Sequence, residues 1–286
     1  MRLTHTLALA ALAIAGLALQ STAAEREGSF DRTLTVNGAV DLHVDTGSGR
    51  IAVRPGSGSS VRIHGEIREH EDFFHSDERR IQELESNPPI EQTGNTIRIS
   101  APKDEWLRRH ISISYELEVP PQTQLRARTG SGSERVEGIH GPVELETGSG
   151  SVTVARIDHE VRIHTGSGRI ELDSLKGKVD AQTGSGSIEG TGIAGPISAH
   201  TGSGSVRLEQ TSAGPLEAHT GSGGVDVRLP VDAAFDLYAH TGSGRVYVNR
   251  PITVQGSMGG HEIQGKVKGG GPLVDVRTGS GSVRVD

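Results

Sequence analysis

The chain has 286 residues, a formal charge of −7 at neutral pH and no cysteine. A mild acidic excess without a basic patch argues against nucleic acid or an anionic membrane surface as partner, and the missing thiols exclude disulfides, a lipidated cysteine and thiolate metal centres. Forty glycines with 3% aromatic residues would suit a disordered chain, but disordered chains lack regularly spaced apolar positions, and here the spacing is strict.

Residues 1–24 read as a secretory signal. Arg2 gives a short basic start, Leu7 to Leu19 is an apolar run, and Thr22-Ala23-Ala24 offers the small side chains that a signal peptidase reads, so cleavage is expected after Ala24. The run is shorter than a bilayer span requires, and no membrane span is expected in the mature chain. Loss of Arg2 takes the formal charge from −7 to −8.

Residues 25–128 form an N-terminal β-rich part. Phe30 to Val36, Val40 to Val44, Ile51 to Val53 and Val61 to Ile67 alternate as strands, and a first TGSG turn begins at Thr46. Ser76 to Ser86 reads as a short helix capped by Ser76 and stopped by Asn87-Pro88-Pro89. A hairpin around Gly94-Asn95 follows over Ile90 to Ile99, then a well-alternating strand from Ile111 to Val119.

Residues 129–286 form the regular array. TGSG recurs at Thr129, Thr147, Thr165, Thr183 and Thr201 with a step of 18, then at Thr220, Thr241 and Thr278 with steps of 19, 21 and 37. The last gap leaves room for one degenerate coil, and Gly256 to Pro272 reads as a glycine-rich loop. Each period carries two alternating apolar runs, such as Val152-Thr153-Val154 and Val161-Arg162-Ile163, joined by a turn with one branched residue: Ile139, Ile157, Leu175 or Ile193. Two strands and two turns per fixed period predict an all-β chain, a parallel β-solenoid of about 18 residues per coil, rather than an antiparallel meander. Both corners keep their residues from period to period, which stacking explains and a meander does not require. The structural turn is Thr129, Gly130 and Gly132, then Thr147, Gly148 and Gly150, Thr165, Gly166 and Gly168, Thr183, Gly184 and Gly186, and Thr201, Gly202 and Gly204. Glycine is expected to supply positive φ there, and at Gly141-Pro142 and Gly195-Pro196 on the opposite corner. The last coil, Val283-Arg284-Val285-Asp286, is expected at an exposed end of the stack, its charges discouraging end-to-end association.

This layout resembles the bacterial putative-adhesin β-strand-repeat family. The resemblance rests on Ile113-Ser114-Tyr115-Glu116-Leu117-Glu118-Val119-Pro120 leading into Leu125 and Thr129, on Leu229-Pro230 through Phe235 to Thr241, and on the helix with Ile81 and Leu84 before Thr93-Gly94-Asn95. It covers nearly all of the mature chain and implies a fold and an adhesin-like role, with no catalytic or binding residue carried over.

Catalytic motifs dissolve on inspection. Asp45-Thr46-Gly47-Ser48 has the form of an aspartic-protease loop, but later copies put Arg, Glu, Gln or His where the partner aspartate is needed. The glycines precede strands rather than a helix, so they do not form a phosphate cradle. The Thr column at the corner reads as hydroxyls bonding neighbouring backbone, not as a water-ordering face. The residue before each turn runs Arg128, Glu146, His164, Gln182, His200, His219, His240. Parity turns this column outward, and stacking predicts His200, His219 and His240 on successive coils about 4.8 Å apart. The plain reading is a solvated stripe; the sharper one is a shared zinc or similar ion. No other cofactor is implied.

The leading function is therefore a non-enzymatic, exported module, periplasmic or on the cell surface, engaging an envelope polymer or envelope protein through a repetitive polar face. The alternatives are metal binding or sensing by the His column, and a polysaccharide-acting β-helix enzyme, which would need an acid cluster and aromatic platforms that the repeat does not supply. Oligomeric state is open.

Overall fold

A computed structural model describes residues 27–69, 78–254 and 259–286; the signal sequence, the Ser76 cap and part of the glycine-rich segment lie outside the described residues. The chain winds as a two-walled parallel solenoid. One wall stacks Glu134–Glu137, Val152–Ala155, Ile170–Asp173, Ile188–Ile193, Val206–Gln210 and Val225–Arg228. The other stacks Thr123–Thr129, Val143–Thr147, Val161–Ser167, Val179–Ser185, Ile197–Ser203 and Leu216–Ser222. Val143 pairs with Val161, Val161 with Val179 and Val179 with Ile197, so residue i sits on residue i+18 through the regular coils. Alternate side chains point inward, and Val152, Ile170, Ile188 and Val206 are all 0% exposed. One continuous apolar core runs through the N-terminal part and the array alike.

Period-two alternation fixes this register, because slipping one residue would turn every buried Val and Ile to solvent. Ile139, Ile157, Leu175 and Ile193 plug the turn between the walls. The residue just before each plug is left-handed: Gly138, Arg156, Ser174 and Gly192 have φ of 68°, 56°, 55° and 68°. The left-handed corner positions are therefore these and not Gly141 or Gly195. Those two are needed for another reason, since a Cβ there would stand 2.3 Å from the Thr123 carbonyl oxygen or 2.1 Å from that of Gly177.

The N-terminal elements close one end. Val40–Thr46 stacks on Thr123–Thr129, and Ile51–Pro55 lies between Glu134–Glu137 and Ile111–Val119. Antiparallel strands Glu27–Thr35 and Ser60–Glu69 finish one wall, and the hairpin Ile90–Thr93/Thr96–Ile99 finishes the other. The helix is described over Glu78–Ser86, with Ile81 and Leu84 buried. A second helix, Glu105–His110, begins at Asp104, whose carboxylate accepts from the Trp106 and Leu107 amides.

The C-terminal end departs from the expected serial stack. Leu273–Ser280 inserts between Leu216–Ser222 and Phe235–Ser243, and Val283–Val285 inserts between Val225–Arg228 and Val246–Val248. The final coil is thus interior to both walls, not an exposed end. The 21-residue step from Thr220 to Thr241 supplies the extra chain needed to skip a level. Among its described residues, the 37-residue gap adds no further parallel coil either. Its strands Thr253–Val254 and Glu262–Val267 run antiparallel, and the second pairs with Phe235–Ser243, covering that wall's last coil.

Candidate functional site

The turn residues do structural work. Thr147, Thr165, Thr183 and Thr201 each donate their hydroxyl to the Gly132, Gly150, Gly168 or Gly186 carbonyl oxygen of the neighbouring coil, at 2.8–3.1 Å. Thr129 donates likewise to the Gly49 carbonyl oxygen, at 3.2 Å, on the N-terminal coil that stacks against it. These threonines are buried, so each hydroxyl would be left without a partner if it did not donate to the neighbouring coil. The glycines are required by close approach. A Cβ at Gly130, Gly148, Gly166, Gly184 or Gly202 would fall 2.4–2.6 Å from the carbonyl oxygen of the equivalent glycine beneath it, and one at Gly132, Gly150 or Gly168 within 1.7–1.9 Å. Positive φ adds to this at the last glycine of the first copy, Gly49, and of the later copies, Gly186, Gly204, Gly223, Gly244 and Gly281, but not at Gly132, Gly150 or Gly168.

Outward columns carry the chemistry. Opposite charges face one another from coil to coil: Arg126 with Glu144 at 3.2 Å, Arg128 with Glu146 at 3.0 Å, Arg156 with Glu137 at 3.0 Å, and Arg207 with Glu189 at 3.3 Å. At the opposite corner, Asp158 lies 2.5 Å from His140 and 2.9 Å from Lys176. These contacts hold its carboxyl below the usual carboxylate range, the Lys176 hydrogen bond contributing most.

The column before the turn faces outward as parity requires. His200 and His219 are half-buried neighbours, paired in register, with ring centroids 4.9 Å apart and planes at 71°. His240 does not join them. The inserted C-terminal strand places Arg277 in register with His219 on one side and with His240 on the other. His240 instead faces Glu262 of the antiparallel strand, at 3.6 Å. The expected triad of histidines on successive coils is broken by a guanidinium.

What joins the two histidines is a carboxylate. Glu217 Oε1 lies 3.5 Å from His200 Nε2 and 3.4 Å from His219 Nδ1. Asp275 Oδ1 lies 3.3 Å from His219 Nε2, and Arg277 holds Asp275 through contacts of 2.7 and 2.5 Å while its guanidinium lies over the Tyr238 ring at 4.8 Å. Ser198 Oγ is 2.9 Å from His200 Nε2. A groove of about 320 Å³ opens beside this group, with Ser198, Glu217 and Asp275 in its lining. Glu217 and Asp275 escaped the sequence reading. Glu217 carries a signal, since it precedes His219 by two residues and shares its face; Asp275 carries none, because its neighbour depends on the insertion.

Comparison with known proteins gives the family. The family model described as Toastrack DUF4097 matches residues 36–286. Among solved structures, a putative cell adhesion protein from Clostridium sporogenes is similar at 16% identity and a TM-score of 0.30, over 91% of this chain and 99% of that one. A putative adhesin from Bacteroides fragilis is similar at 12% identity and a TM-score of 0.47, over 91% and 97%. No curated protein matches.

Proposed function

We propose that this chain, which belongs to the Toastrack DUF4097 family, is an exported, non-catalytic binding module of the cell envelope, working in the periplasm or at the cell surface. The observation that carries this reading is the set of outward ladders. Arg126–Glu144, Arg128–Glu146 and Arg207–Glu189 link adjacent coils, so long polar side chains are already ordered on a rigid wall. Ordering such side chains at an interface ordinarily costs about 0.5–1.5 kcal/mol each, and a pre-ordered surface avoids part of that cost. A repeating face of this kind suits an envelope polymer or an envelope protein whose own polar groups repeat. Arg2, the apolar run from Leu7 to Leu19 and Ala23-Ala24 support export. Among the described residues, no helix is long and apolar enough to cross a membrane.

The test is co-sedimentation of the purified protein with isolated envelope fractions, with and without EDTA. Sedimentation with the envelope is expected in both conditions. A protein that stays in the supernatant throughout overturns the reading.

A further inference from the structure

We infer that His200, Glu217 and His219 form a binding site for one zinc-class divalent ion, with Asp275 orienting His219. The inference stands on the cluster itself and is independent of envelope binding.

The donor set fits. One ligand atom each from His200, Glu217 and His219 lies within 4.8 Å of the others. Zinc takes imidazole and carboxylate ligands at about 2.0–2.2 Å, so the edges of its tetrahedron measure about 3.4 Å. The two edges to Glu217 Oε1 already measure 3.5 and 3.4 Å. Only the edge between the histidines must shorten, and rotation of two half-exposed rings on adjacent strands provides the movement.

The surrounding groups fit as well. A metal-bound histidine almost always donates its second ring N–H to a carboxylate or carbonyl, which fixes the tautomer. Asp275 Oδ1 is at hydrogen-bond reach of His219 Nε2, which leaves the Nδ1 lone pair directed to the side of Glu217. Arg277 holds Asp275 in place, and its guanidinium in turn lies over the Tyr238 ring. Arg277 also offsets the Asp275 charge, so Glu217 remains the anionic ligand facing the ion. Ser198 Oγ, which touches His200 Nε2 at 2.9 Å, also lies 3.4 Å from Glu217 Oε2. It can keep the second contact when the nitrogen turns to a metal. A fourth position would open to the groove and take water.

The insertion of the last coil builds this site. Without it, Tyr238 would take the register position of Asp275 and His240 that of Arg277 beside His219, and the second carboxylate at that position would be lost. It also separates the site from His240, and that gives the test its control.

Titration of the full chain with zinc by calorimetry, with magnesium as the reference ion, tests the assignment. One saturable equivalent of zinc is expected, with none for magnesium. His200→Ala, His219→Ala and Glu217→Gln should each lower the affinity at least tenfold, and Asp275→Asn by about 10–100-fold. His240→Ala should leave it unchanged. All five positions lie on the outer face, and circular dichroism with a thermal melt verifies each fold. Absence of saturable zinc binding by the wild-type chain overturns the inference. So does a His240→Ala variant that loses as much affinity as His219→Ala, since adventitious binding by the general histidine population then accounts for the signal.

Discussion

Glu134 is in backbone register with Val152 on one side and Ile51 on the other, so a carboxyl group occupies an inward position that its two neighbouring strands give to a branched apolar side chain. The Glu134 side chain is 1% exposed and neither carboxyl oxygen has a hydrogen-bond partner. Burial, aided by the Glu146 charge, raises its pKa from 4.5 to about 8. The folded protein therefore holds this proton more tightly than the unfolded chain does. The stability associated with the protonated carboxyl is fully present below about pH 4.5, falls as the unfolded carboxyl ionises, and levels off above about pH 8. At about 1.36 kcal/mol per pH unit, the loss across that window is on the order of a few kcal/mol. Glu134→Val restores the column and removes the titration. Denaturant unfolding at pH 5 and pH 9 should show the variant gaining on the wild type as pH rises; a constant difference between them would refute the assignment.

Ser174 stands where Gly138 and Gly192 stand in other coils, with φ of 55° against their 68°. A residue with a Cβ costs roughly 1–2 kcal/mol in this region, while glycine adopts it freely but loses more chain entropy on folding. Ser174→Gly should stabilise by about 0.5–1 kcal/mol. The reciprocal change, Gly192→Ala, adds a Cβ 3.2 Å from Ser174 Cα at positive φ, and should destabilise by about 1–2 kcal/mol. Thermal melts of both variants should move in opposite directions.

The TGSG glycines separate packing from flexibility. A Cβ at Gly150 would stand 1.8 Å from the Gly132 carbonyl oxygen, whereas one at Gly58 meets nothing within 4 Å. Gly150→Ala forces two coils apart and should cost roughly 3 kcal/mol or more. It also disturbs the Thr165 hydroxyl bond to the Gly150 carbonyl. Gly58→Ala should be neutral or stabilise by up to about 1 kcal/mol, through the unfolded chain alone. Equal effects of the two would mean that the coils do not stack as closely as described.

Much of this architecture is written in local pattern. Val152 and Val154, Ile170 and Leu172, Thr147 and Gly150 repeat at one step because each touches its own equivalent, and stacking converts that periodicity into contact. The order of the last coils is not written locally. Leu216, Val274 and Leu237 present the same apolar column and the same backbone edges, so the repeat does not say which coil lies beside which. Leu273–Ser280 takes the middle place, and the glycine-rich segment before it forms antiparallel strands that its composition does not announce. The helix Glu105–His110 was equally unreadable, since six residues are too few for a helical period. The same limit divides the metal site. His200 and His219 follow from the repeat and Glu217 from strand parity, but Asp275 follows only from the insertion.

That insertion makes the C-terminus part of the core. Val274, Val276, Val283 and Val285 are each no more than 1% exposed, and they pair on both sides, with Leu216 and Leu237 flanking Val274 and with Val225 and Val246 flanking Val283. Full burial of a valine-sized side chain contributes roughly 1.5–3 kcal/mol as an upper estimate. Four of them rival the entire 5–15 kcal/mol by which a typical domain is stable. Removing residues 273–286 also strips both partners of their paired edges, leaving Phe235–Ser243 and Val246–Val248 attached to nothing in the stack. A chain ending at Pro272 should lose the last coils cooperatively, with amide exchange accelerating from residue 216 onward while the coils around Val152 stay protected. If the last coil were instead a terminal cap, the truncation would leave Phe235–Ser243 protected, and hydrogen exchange read by mass spectrometry distinguishes the two patterns.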